Sequence, residues 1–163
     1  MKDVESLRYQ ARLMRDVVRL CIDGITHEQS VVQPRPAGNC VNWILGHLLV
    51  VYNQVLPLIG QEAVVTEGTL TRYARGSAPI TRASEALLFH DVICAWDEVC
   101  ARVDAGLATL TPHHLDAVVP EGPTGDPYET LGSLLATVLF HQAYHAGQLG
   151  VLRRIIGMPA ALS

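Results

Sequence analysis

Two long stretches of this chain carry no formal charge. No Asp, Glu, Lys or Arg occurs from Pro36 to Gln61, and none from Thr130 to Leu152. Each stretch is long enough to raise a membrane reading, which needs roughly 20 apolar residues. Both are interrupted by polar side chains: Asn42, His47, Asn53 and Gln54 in the first, Ser133, His141, Gln142, His145 and Gln148 in the second. Neither has Lys/Arg clusters at both ends. Two helices buried within a helical bundle fit this pattern better than two spans, so no membrane is expected as a partner.

The rest of the composition narrows the class. Charged residues make up 17% of the chain, against about 25% in an average soluble domain. A hydrophobic content of 49% excludes disorder, whose signature is low hydrophobicity with high net charge. The net charge of −4 and the lack of a basic cluster argue against nucleic acid as a partner. Cys21, Cys40, Cys94 and Cys100 form no CxxC pair, and Met1–Glu5 lacks the apolar core of a signal peptide. Reduced thiols in a cytoplasmic protein are therefore expected. A length of 163 residues suits a single domain spanning 1–163.

Four helical segments follow from periodicity. The first runs from about Asp3 to Asp23, with Val4, Leu7, Ala11, Met14, Val18, Cys21 and Ile25 in a heptad seam. Arg8, Arg12, Arg15 and Arg19 flank it as a solvated face. Asn39 is the expected cap of a second helix over Cys40–Leu56, closed by Pro57 and Gly60. Gln61–Ile80 reads as a long crossover loop able to cover a site. A third helix is expected from Arg82 to Leu110 behind Thr81, with Phe89, Ile93, Trp96, Cys100, Val103, Leu107 and Leu110 as its seam. Asp126-Pro127-Tyr128-Glu129 gives cap, first-turn Pro and acid for a fourth helix, which Gly157 and Pro159 end. Its expected seam is Leu131, Leu134, Val138, His141, His145, Gln148, Leu152 and Ile155. The fold class is all-α: a four-helix bundle with long crossover connections.

Within that bundle, His141 and His145 lie one helical turn apart on one face and can converge on one point. The spacing serves two-ligand metal sites, but Gln142 stands where a HExxH protease needs Glu. His47 sits in a similarly apolar setting in register with Ile44, Val51 and Leu58. An unpaired buried polar group costs about 1–3 kcal/mol. One divalent metal would satisfy all three imidazoles, so His47, His141 and His145 are the candidate ligands. The other histidines read as bland: His27, His113 and His114 as loop surface, and His90 with Cys94 as a weak pair on the third helix.

The motifs Asn39-x-x-x-Trp43-x-x-Gly46-His47-Leu48 and His141-Gln-Ala-Tyr-His145-Ala-Gly147-Gln148-Leu149 resemble the DinB/YfiT-like metalloenzymes. The resemblance covers nearly the whole chain. It implies a four-helix bundle, a homodimer, and a metal held by His47, His141 and His145, with zinc first and nickel or iron as alternatives. It also implies a low-molecular-weight thiol as cosubstrate and an S-transferase or isomerase activity. Many relatives carry Arg directly after the last His; here that position is Ala146.

Three functions remain open on these grounds. A metal with three protein ligands keeps a position for a small molecule, as in catalytic zinc sites. The first function is thiol S-transfer at that position. Tyr52, Tyr144 and Gln148 are then candidate neighbours of the site, and Arg72 and Arg75 could meet an acidic substrate. The second is metal-dependent hydrolysis, for which Asp97 would have to act as general acid/base. The third is a dimeric metal-binding bundle without catalysis. Excess apolar surface adds to the expectation of a dimer.

Overall fold

The computed structural model describes residues 3–119 and 124–162. Four long helices make the body: α1 (Val4–Ile22), α3 (Val41–Val55), α5 (Phe89–Thr109) and α7 (Leu131–Ile155). Three one-turn helices, α2 (His27–Ser30), α4 (Glu67–Leu70) and α6 (Pro112–Leu115), lie in the connections. The long helices close a ring in which α1 packs on α5 and α7, and α3 packs on the same two. Consecutive long helices α1 and α3 thus occupy opposite corners, which is why long connections are needed. The core is continuous through all four, with Leu7, Leu45, Trp96 and Leu149 among its fully buried side chains.

The first uncharged run behaves as expected. Every residue from Val41 to Leu49 is buried. Val41–Ile59 is long and apolar enough to cross a membrane, yet 67% of its most apolar window is covered by the rest of the bundle. Helix α3 is packed by α5 and α7 on the bundle side and covered elsewhere by connecting segments, including α2 and α4, so it needs apolar side chains on nearly all faces.

Three boundaries differ from the sequence expectation. Helix α3 starts after Cys40, which makes no side-chain cap bond, so Asn39 does not cap it. Helix α5 starts at Phe89, not Arg82. The backbone before it is captured by side chains from elsewhere: the Leu87 N–H donates to the Tyr73 hydroxyl (2.8 Å), the Asn42 amide donates to the Leu87 carbonyl (3.0 Å), and the Phe89 N–H donates to His27 Nδ1 (3.2 Å). These bonds replace helical ones and hold the segment open. His27 is therefore half-buried and structural, not loop surface. Helix α7 starts at Leu131, not beside Asp126. Asp126 instead accepts from the Tyr128 N–H in a local turn (2.9 Å). Residues 129–131 then pair in extended form with 117–119, through Val119 N–H to Glu129 (2.8 Å) and Leu131 N–H to Ala117 (2.8 Å). Thr130 and Ser133 supply the actual capping box.

The arginines of α1 are less idle than a solvated face implies. Arg12 approaches Asp104 (3.8 Å) and Arg19 pairs with Asp97 (3.0 Å), both across to α5. Arg153 of α7 is buried, and its guanidinium donates to the carbonyls of Pro159, Cys21 and Asp23. It thereby satisfies the open C-terminal end of α1, where cationic charge is also favourable. Arg153→Ala leaves those carbonyls unmet and is expected to lower stability by about 2 kcal/mol in denaturant melts. An unchanged midpoint would show that water replaces the guanidinium.

Candidate metal centre

The three candidate histidines come together between α3 and α7. One ligand atom from each of His47, His141 and His145 lies within 4.8 Å of the others. The ring centroids of His47 stand 5.2 Å from His141 and 5.3 Å from His145, and those of His141 and His145 stand 4.4 Å apart. His141 and His145 face each other through their Nε2 atoms at 3.0 Å.

Two of the rings are oriented by carbonyl oxygens. His47 Nδ1 lies 2.9 Å from the Tyr73 carbonyl, and His145 Nδ1 lies 2.8 Å from the Gln148 Oε1 atom. A carbonyl accepts only, so each Nδ1 carries the proton and each Nε2 keeps its lone pair. Outer carbonyls that hold the far nitrogen are the usual support of metal-binding histidines. Trp43 stacks on His47 with centroids 4.8 Å apart and planes 15° from parallel, and Tyr144 packs edge-on against His145. His141 Nδ1 is buried without a partner.

The Tyr73 carbonyl reaches His47 because of Gly46. A Cβ at Gly46 would lie 2.2 Å from the Tyr73 ring, so only glycine lets that ring lie against α3. Tyr73 is fully buried, and its hydroxyl donates to Asn42 Oδ1 (2.8 Å). Sequence reasoning missed Tyr73 altogether. Its one signal was Gly46 beside His47, a small residue in a helix otherwise lined with large ones.

Burial holds all three imidazoles below the ordinary histidine range. For His141, burial is reinforced by the charges of His145 and His47, which lowers it to about 4. For His47, burial outweighs the bond to Tyr73, and the charge of Arg75 adds to the lowering. For His145, burial outweighs the bond to Gln148. All three are neutral at pH 7, as metal ligands must be. The unfolded chain takes up protons first as pH falls below about 6.5, so it binds more protons than the folded one there. The metal-free protein is thus expected to lose stability as pH falls from 6.5 towards 4. Thermal melts against pH should show a shallower loss in His141→Gln, and equal slopes would contradict the assignment.

The group opens onto a cleft of about 1010 Å³. Gln148 and Tyr144 line it, as does Arg75, while Ile44, Val151 and Ile155 supply apolar wall. Tyr52 does not line it: that side chain points into the bundle, where its hydroxyl donates to the Gln142 amide oxygen. Gln142 is thus a core residue, and His141 lies on the flank of the buried seam of α7. Arg72 is also absent from the lining, tied to the Ala78 and Pro79 carbonyls (3.0 and 3.1 Å) and to Glu85. Asp97 faces α1 through its pair with Arg19 and lines a different cleft. Hydrolysis with Asp97 as acid/base therefore has no geometric basis. Ala146 is buried on the α1 side, where its carbonyl lies 3.8 Å from Cys21 Sγ. His90 and Cys94 sit 3.5 Å apart on exposed α5 surface with no third candidate ligand among the described residues. The four cysteines are free.

The donor set suits a divalent ion: three neutral imidazoles, two of them oriented from behind, with one side left towards a cleft. Such an arrangement could hold a metal while admitting a small ligand. Among curated proteins, none matches the sequence. The family model for the DinB superfamily matches residues 10–149, and with the helical bundle and the three-histidine group between α3 and α7 this shows that the chain belongs to the DinB superfamily.

Proposed function

We propose that His47, His141 and His145 hold a divalent ion, zinc in the first place with nickel or iron as alternatives, at the centre of a thiol-dependent S-transferase. The observation that carries this reading is the gathering of three imidazoles on the wall of a cleft, with their second nitrogens held by Tyr73 and Gln148 in two cases out of three. A metal bound there supplies Lewis acidity that favours the thiolate form of a small thiol. The protein's own part is orientation and exclusion of water. The Tyr73 and Gln148 carbonyls fix the tautomers of His47 and His145. Trp43 covers one face of His47, and the apolar wall formed by Ile44, Val151 and Ile155 limits hydration of the reacting groups. No carboxylate lines the cleft among the described residues, which favours thiol transfer over a hydrolysis needing a general base.

The test is elemental analysis of purified protein followed by turnover assays. Glutathione, bacillithiol, mycothiol and coenzyme A would each be offered with an aromatic halide electrophile. One metal per chain and metal-dependent turnover with one thiol are expected. Bound metal without turnover on any thiol would reduce the reading to a metal-binding bundle.

The proposed assembly is a homodimer in the cytoplasm. Phe140 on α7, 73% exposed, and Tyr9, Leu13 and Leu20 on α1 are large apolar side chains left on the surface outside the cleft. A second copy would remove such side chains from water. Sedimentation at micromolar concentration should give twice the chain mass; a monomer would reject this assembly.

A further inference from the structure

Arg75 is the one charged side chain that lines the histidine cleft among the described residues. Its loop is fixed on both sides. Before it, Tyr73 is buried and Arg72 is tied to the Ala78 and Pro79 carbonyls. After it, the Ser77 hydroxyl accepts from Trp43 Nε1 (2.9 Å) and donates to the Arg72 carbonyl (2.8 Å). Gly76, at φ +81°, turns the chain back between these anchors. The residues that fix the loop are also those that build the site, since Trp43 stacks on His47 and Tyr73 accepts from it. Arg75 itself makes no hydrogen bond or ion pair with any described residue, whereas Arg72 in the same turn makes both. Its charge is felt at His47.

We infer that Arg75 reads a carboxylate on the ligand of this cleft, so that the site selects small organic acids whose other end carries the metal-binding atom. This rests on the metal reading above. The chemistry is that of the guanidinium fork. Arg presents paired N–H donors in the spacing of two carboxylate oxygens, and a cleft without acidic groups offers that fork no internal partner. The apolar wall suits a short hydrocarbon link between the two ends.

The experiment compares two thiols of similar length, 3-mercaptopropionate and 2-mercaptoethanol, on the cobalt(II)-loaded protein. Binding is followed by the near-ultraviolet absorption of cobalt–thiolate contact. The acid is expected to bind about tenfold more tightly at low salt. Arg75→Gln should abolish that preference while leaving 2-mercaptoethanol unchanged, and Arg75→Lys should keep part of it. Equal affinities in the parent protein, or a preference that survives Arg75→Gln, overturns the inference. Metal content, measured before any thiol is added, reports separately on the metal reading. If no metal is taken up, the metal-free protein is titrated with phenylacetate and phenylacetamide and followed by amide resonances of residues 72–77. Shifts with the acid alone, lost in Arg75→Gln, support the inference; no shift, or the same shift with both, overturns it.

Discussion

Gly46→Ala is expected to cost about 3 kcal/mol of folding stability and to weaken metal binding at the same time. The direction is opposite to helix propensity, which favours Ala over Gly by about 1 kcal/mol in a helix interior. Sterics decide the sign. The added Cβ would stand 2.2, 2.5 and 2.6 Å from three ring atoms of Tyr73. Those atoms belong to a fully buried ring whose hydroxyl is held by Asn42 and by the Leu87 N–H. The ring cannot swing away without releasing both bonds, and its displacement carries the Tyr73 carbonyl off His47. Urea unfolding and chelator competition would measure the two losses. Tyr73→Phe is the control: it loses the hydroxyl bonds, at about 1–3 kcal/mol, but keeps the ring and the carbonyl, so metal affinity should hold. A stable, metal-competent Gly46→Ala protein would mean that the ring can be reseated.

Removing any one of the three histidines should strip the protein of metal. His47→Ala, His141→Ala and His145→Ala are each expected to emerge from dialysis with trace metal while their helical circular dichroism is kept. Gln148→Ala tests the support behind His145. Loss of an outer partner typically lowers affinity about 10–100-fold without removing the site, so this variant should load metal yet yield it to a weaker chelator. Gln148→Glu offers a stronger acceptor to the same nitrogen and should restore affinity. If His141→Ala alone retains full metal, its unpartnered Nδ1 and facing Nε2 have another explanation, and a different donor completes the set.

The long helices and the gathering of His47, His141 and His145 are legible in the sequence because local rules carry them. Heptad spacing marks α1, and the i, i+4 pair His141 and His145 is placed on one face by helix geometry alone. The absence of charge around His47 correctly put it inside. What escaped depends on contacts between distant segments. The start of α5 moved because Tyr73, Asn42 and His27 bind backbone atoms that a helix would otherwise have paired. The seam of α7 slipped, with Gln142 inside and Ile155 half exposed, because apolar residues surround that helix and blur its period. Gln142 can be buried only because Tyr52 meets it across the bundle, a partner ninety positions away. Arg72 and Arg75 looked alike in sequence; a loop anchored by Trp43 and Tyr73 ties one down and leaves the other in the cleft. Arg153 read as a helix-end charge and proved to be a buried clamp.

The placement of the two tryptophans gives the molecule an internal pair of optical gauges. Trp43 lies face to face with a candidate ligand ring, so its emission should respond to open-shell ions and to protonation of His47. Trp96 is sealed in the core against Tyr52, beyond the reach of anything in the cleft, and changes only when the bundle opens. Trp43→Phe and Trp96→Phe proteins would therefore separate events at the cleft from loss of the fold, with no label attached.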